Sequence, residues 1–407
     1  MKVIISTGQG RLHLAQTAVA AAQAGCDVRL VTGYLPRKMP KGLVNTIGRL
    51  LAKPDLYRRL MLRCPDGLVP SQIDCCPFSE LLEGVRQVGM HHGVNVYSPL
   101  FTWKAFAHES MKYIHDADIF HVRSGAGCSG VIEKARARGM KIVVDHSIAH
   151  PAHITRNLEN EAKFWPSKPQ SFRSPFWDSV MEDCSKADVI LVNSDYVKSS
   201  LQQYGLKDKR IETIYLPVPN KFSYIEARKR EPSQFRLLFT GGFNIRKGAR
   251  LLIEAMRKVN TSIPGVRLDV YGSVDIPKQW LPQCEQLAIH LHGHVSQDVL
   301  QQAMIHCDAY VFPTLSEGCA KSVMEAMSAG LPVLTTFDSG APIEHRKNAY
   351  IMETGSVDAL VNAILHAYTN PEESENWGRS ASQTVACRCS ANTFSLELNK
   401  LYHQLVG

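Results

Sequence analysis

The chain has 407 residues, 44% hydrophobic and 21% charged. That balance suits two folded domains of ordinary size and excludes a disordered or fibrous chain. No apolar run is long enough to cross a bilayer. The net charge of +8 (46 basic less 38 acidic) favours an anionic partner such as a nucleotide or a phospholipid surface. The absence of zinc-finger spacing and of an RNA-binding aromatic motif sets nucleic acid aside. Eleven cysteines, an odd number with no C-x-x-C pair, fit a reduced, cytosolic protein.

Met1 to Ser6 has too short an apolar run for a signal peptide and reads as a first strand. Gly8-Gln9-Gly10-Arg11 follows, and a helix over 13–24 ends at Gly25. This loop lacks the third glycine of a dinucleotide fingerprint, because His13 stands there. Residues 28–31 are a second strand. From Gly42 to Arg63, Leu43, Val44, Ile47, Leu50, Leu51, Leu60 and Met61 alternate with Arg49, Lys53, Arg58 and Arg59. That pattern suits either an anionic membrane surface or a surface helix pair broken at Pro54. Strands follow at 119–122 and 141–144, and His146 ends the second of these. His150 and His153 lie close by, but Pro151 opposes a regular helix, so no metal site is expected. Another strand covers 187–194, with a helix to Gly205.

Residues 216–233 contain Pro217, Pro219 and a charged Arg228-Lys229-Arg230-Glu231-Pro232 run, which reads as a linker. The alternation then repeats: a strand at 236–240, a helix at 249–259 and a strand at 267–272. His290, His292 and His294 alternate as on one strand face. A buried strand covers 308–313, a loop 314–319 and a helix 320–329, stopped by Gly330 with Pro332 beyond. Strands alternating with helices predict parallel sheets with crossover helices. The expected organisation is α/β, with doubly wound domains at 1–218 and 234–390, a linker at 219–233 and a cleft between them.

Two glutamates eight positions apart carry the chemistry. Glu317 falls at the carboxyl end of a strand, just before a helix start, where open α/β sheets place ligands. The amides at that helix start suit a diphosphate. Glu325, one to two turns into the helix, can accept two hydrogen bonds from a ribose diol, or can simply pair with Lys321. Arg246 and Lys247 follow a strand and the Gly241-Gly242 turn, where two cations can neutralise a leaving diphosphate.

The stretch from Ser316 to Val333 resembles the two-glutamate signature of the large retaining glycosyltransferase family with the GT-B fold, family four or group 1. The resemblance runs along nearly the whole chain. It takes in residues 187–194, 211–219, the Gly241–Gly248 phosphate loop, the His292–Val295 nucleobase loop and a last helix, 394–407, that returns to the first domain. It implies a metal-independent hexosyltransferase with no cofactor, acting in the cytoplasm or on the inner membrane face, in polysaccharide biosynthesis for example. Its substrates would be a nucleotide-sugar donor and a saccharide, glycolipid or small-molecule acceptor. On that resemblance Glu317 and His146 are the catalytic pair. Arg246, Lys247, Gly10, Lys321 and Ser322 meet the donor diphosphate. The backbone of Gly318, Cys319 and Ala320 holds the sugar, and Glu325, Gly293, His294 and Val295 hold the nucleoside. Two departures stand out: Gly242 where the family carries an arginine, which Arg246 is expected to replace, and Cys319-Ala320 in place of Phe-Gly. A nucleotide-sugar epimerase and an inactive nucleotide-sugar-binding protein share the fold; UDP release in turnover excludes the first and sugar transfer the second.

Overall fold

The structure, a computed structural model, describes residues 1–9, 13–33, 42, 45–46, 65–166, 171–218, 222, 224–225 and 233–407. Gly10, most of the basic stretch Lys41–Arg63 and most of the linker 219–233 lie outside the described residues.

Two parallel sheets form the frame. The first holds β1 Lys2–Ser6, β2 Asp27–Thr32, β3 Ile73–Cys75, β4 Ile119–Arg123, β5 Lys141–His146, β6 Val189–Val192 and β7 Ile211–Thr213, in the order β3-β2-β1-β4-β5-β6-β7. The second holds β8 Phe235–Thr240, β9 Val266–Tyr271, β10 Ile289–Gly293, β11 Ala309–Phe312, β12 Val333–Thr336 and β13 Tyr350–Met352, in the order β10-β9-β8-β11-β12-β13. Every pairing within them is parallel. Helices cover both faces, so the central strands are apolar without alternation, and every residue of β6 and β11 is buried. Each sheet reverses its strand order once, between β1 and β4 and between β8 and β11. Crevices at the carboxyl ends of those strand pairs are where such sheets bind ligands.

The last helix, Ala391–Val406, lies against the helix Leu14–Gln23 of the first sheet. Phe394, Leu398, Leu401 and Tyr402 form its buried stripe, at helical spacing. Ser395 Oγ donates to the Ala20 carbonyl (3.0 Å), and Tyr402 Oη lies 2.6 Å from His121 Nδ1 under β4.

One expectation is overturned. Pro151 does not prevent a helix; it opens one, Pro151–Ala162. A first-turn proline lacks only an N–H that would have had no partner there. His150 caps that helix, its Nδ1 accepting from Ala152 N (3.1 Å), while His146 stays on β5, so the two share no helical face. Among the described residues no helix is long and apolar enough to cross a membrane.

Tyr402→Phe removes the hydroxyl from a fully buried pair with His121. It should cost about 1–3 kcal/mol in urea unfolding. A loss within error would make this contact incidental to the docking of the last helix.

Candidate active site

At the reversal point of the second sheet, β8 runs out into Gly241-Gly242 and β11 into the loop before the helix Lys321–Ser328. Gly241 has φ +123°, and a Cβ on Gly272, which follows β9, would stand 2.2 Å from the Gly241 carbonyl, so only glycine lets the ends of β8 and β9 approach. Between these turns and the loop after β11 lies a cavity of about 530 Å³. Of the residues expected at the site, Lys247, Glu317, Cys319, Ala320, Lys321, Ser322, Glu325, His294 and Val295 line it. Arg246, Gly293, Gly318 and His146 are not among the lining residues. Thr240, Tyr271 and Leu300 line it without having been singled out in the sequence. Tyr271 is braced from behind: His292 stacks on its ring (4.4 Å, 10°), and Asp269 holds His292 Nε2 at 2.7 Å. An aromatic residue ending a strand before Gly272 was the available signal.

Glu317 is the electrostatic centre. Its side chain is only 12% exposed, with Arg246 Nη1 at 3.0 Å and Lys247 Nζ at 3.5 Å. Arg246 also donates to the Ser316 carbonyl at 2.9 Å. Arg246 is thus held on the Glu317 loop and is not among the residues that line the cavity. Lys247 is shared between Glu317 and the cavity, and lies over the Phe312 ring (5.1 Å). The backbone of the loop is only partly available. Glu317 N donates to the Asp338 carbonyl (2.9 Å) and Ala320 N to that of Ser339 (2.8 Å). This corrects the expectation for Ala320: its amide is consumed by the turn that supports the loop. The Gly318, Cys319, Lys321 and Ser322 amides have no backbone partner among the described residues. The helix Lys321–Ser328 has no side-chain cap, and a helix start of this kind suits an anion. Glu325 is within 3.7 Å of Lys321 Nζ and lines the cavity as well.

The first domain closes the site from the other side. A Cβ on Gly318 would stand 1.9 Å from the Ser147 carbonyl, and Ser194 Oγ donates to the Gly318 carbonyl at 2.5 Å. Asn157 Nδ2 donates to the Leu315 carbonyl (2.8 Å) and to Asp338 Oδ1 (2.9 Å). His146, at the end of β5, is fully buried; its Nδ1 is 2.9 Å from Ser124 Oγ, and its Nε2 has no hydrogen-bond partner among the described residues. Burial, then the nearby Arg123 cation, push its pKa down to about 3, so the imidazole is neutral at physiological pH. A neutral ring with one unpaired nitrogen can bond a hydroxyl.

Residues 10–221 match the family model described as Glycosyltransferase Family 4, and residues 234–370 match that described as Glycosyl transferases group 1. The chain belongs to the group 1 glycosyltransferases, of the family 4 type. It is 25% identical over 281 residues to the UDP-N-acetylglucosamine–peptide N-acetylglucosaminyltransferase GtfA subunit of Streptococcus pneumoniae, an alignment covering 65% of this chain and 52% of that one. It is 25% identical over 285 residues to sulfoquinovosyl transferase SQD2 of Arabidopsis thaliana, with the same two shares. The chain thus spans about half the length of these curated relatives. Among solved structures, sucrose-phosphate synthase of Thermosynechococcus elongatus superposes with a TM-score of 0.68 at 15% identity, covering 100% of this chain and 99% of that one. Anabaena HepE in complex with UDP gives 0.64 at 16% identity, covering 99% and 100%. The fold of this glycosyltransferase is GT-B: two parallel-sheet α/β domains facing a cleft.

The buried imidazole has a consequence for stability. Unfolded, His146 takes a proton below about 6.5, and folded only below about 3. The folded state therefore keeps this contribution above 6.5 and loses it as pH falls towards 3. Between pH 7 and 4.5 the unfolding free energy of the wild type should fall by about 1–3 kcal/mol more than that of His146→Asn. Parallel slopes in urea titrations would show that the imidazole is not buried neutral.

Proposed function

We propose that the chain is a retaining, metal-independent hexosyltransferase that moves a sugar from a nucleotide-sugar donor to a hydroxyl of a glycan, glycolipid or small-molecule acceptor. The observation that carries this reading is the cavity in which Lys247 and the unpaired amides of Lys321 and Ser322 face one space, with Glu325 and Glu317 both lining it. In this reading the diphosphate lies against Lys247 and the helix start, where charge-assisted hydrogen bonds stabilise it as it leaves. Those groups supply the positive charge that a divalent metal supplies elsewhere. Glu325 takes the ribose diol, and the ring of Tyr271 with the Gly293–Val295 turn takes the base. The neighbours HepE and GtfA are in complex with UDP, which favours a uridine carrier.

Glu317, fixed by Arg246 and Lys247, orients the sugar hydroxyls, and the buried, neutral His146 shapes the first-domain wall behind them. The acceptor hydroxyl attacks on the face that the diphosphate leaves, and a phosphate oxygen takes its proton. The anomeric configuration is then retained with no protein nucleophile. Arg246 serves here as a positioning residue for Glu317.

Two substitutions test the reading. Lys247→Ala should weaken UDP by about 1.5–3 kcal/mol while uridine changes little, since the ammonium meets phosphate and not base. Calorimetric titration decides it, and equal losses for the two ligands would place Lys247 away from the diphosphate. Glu317→Gln keeps the shape and removes the charge. Sugar transfer should fall by about two orders of magnitude or more, in line with the loss of one charge-stabilising group in a catalytic site, with the melting temperature nearly unchanged. Near-normal turnover would remove Glu317 from the chemistry.

A further inference from the structure

The first sheet has its own reversal point, between β1 and β4, where no donor role falls on a described residue. Arg123 ends β4 there, in register with Asp145 on β5. Its Nη1 donates to Ser147 Oγ at 3.2 Å, and that neutral hydroxyl is the one hydrogen-bond partner of the guanidinium among the described residues. Asp145 is engaged elsewhere, its Oδ1 2.8 Å from His13 Nε2 and its Oδ2 3.7 Å from His121 Nε2, and it makes no ion pair with Arg123. Burial would raise the Asp145 carboxyl, but the two histidines hold it well below the usual range. Arg123 is partly buried, with one neutral hydroxyl as its hydrogen-bond partner among the described residues; burial pushes the guanidinium down, and Asp145 opposes this only in part. A guanidinium offers five N–H donors in a fork that matches an oxyanion, and a cation taken from water without an anion is costly.

The place is beside the transfer site. Ser147, which receives Arg123, is the residue whose carbonyl abuts Gly318. On the other flank the Trp103 ring presses against Gly8 and Gly125, where a Cβ would stand 2.7 and 3.4 Å from it, and Phe176 packs on Trp103 at 5.6 Å. An apolar ring thus lies against the turns that follow β1 and β4, and Arg123 ends β4 two positions before Gly125.

We infer that Arg123, with the Ser147 hydroxyl, forms an oxyanion subsite on the acceptor side, so that the acceptor carries a phosphate or carboxylate group. This rests on the proposed transferase reading, in which the donor diphosphate is served by Lys247 and the helix start and leaves Arg123 free for the other substrate. The single bond to Ser147 leaves most of the guanidinium's five donors unused among the described residues.

The full-length chain saturated with UDP is titrated by calorimetry with glucose, glucose 6-phosphate and glucuronate at constant ionic strength. At least one of the anionic sugars should bind tenfold or more tighter than glucose, and which of the two does so identifies phosphate or carboxylate. Arg123→Gln should bring all three within twofold of one another, and Arg123→Lys, which keeps the charge without the fork, should fall between. UDP affinity should change less than twofold in both variants, which also shows that they are folded. Equal binding of glucose and both anions by the wild type overturns the inference without reference to any variant, as does binding of none of the three. Discrimination that survives in Arg123→Gln overturns it too. Failure of the wild type to bind UDP would instead refute the donor reading.

Discussion

The cleft depends on Gly318 having no side chain. Its Cα lies against the Ser147 carbonyl at the end of the first sheet, and a Cβ on Gly340 would stand 2.0 Å from the Gly318 carbonyl. Any other residue would drive the end of β5 away from the loop before the helix Lys321–Ser328. With glycine, the carboxyl edges of both sheets converge on five residues, 316–320. Ser194, Asn157 and the Tyr196–Ser316 hydroxyl pair (2.8 Å) then tie that loop to the first domain. The geometry of Glu317 is accordingly a property of both domains. The helix Pro151–Ala162, none of whose residues lines the cavity, holds the carbonyl of Leu315 and the side chain of Asp338, whose own carbonyl receives the Glu317 amide.

Around that loop the charges are arranged by competition. Glu317 is largely buried and shared by two cations, and its Oε1 accepts no hydrogen bond from the described residues. A carboxylate so placed is tolerable only while paired. Lys247 is the more distant partner, 3.5 Å from Glu317 against 3.0 Å for Arg246, and it lines the cavity. A ligand phosphate can therefore draw on Lys247 without stripping Glu317 of Arg246. Gly242 widens the cavity where a larger residue would stand close to Asn244 and Ser273.

Much of this was legible in the sequence because it rests on local chemistry. The alternation of apolar strands and helices, glycines at strand ends and the spacing from Glu317 to Glu325 each report a turn, a helix phase or a charge at a strand end. Residues 249–259 were read as a helix and are one. Long-range pairings were not legible. Arg246 looked like a phosphate ligand because it stands beside Lys247, and only the fold shows it reaching Glu317, seventy-one positions on. The helices Pro77–His91 and Pro99–Ser110 escaped notice, as did the pairing of His13 with Asp145. Pro151 was misread because proline breaks a helix in its interior but starts one at its first turn.

The central claim is that the cavity at the ends of β8 and β11 is the nucleotide-diphosphate site. A crystal structure of the full chain with UDP tests it most directly. The account predicts the β-phosphate within hydrogen-bond reach of Lys247 Nζ and the Ser322 amide, the ribose on Glu325 and the uracil against Tyr271. Phosphates bound instead on Arg123 or at the Gly8 turn, with the Lys247 cavity unoccupied, would contradict it.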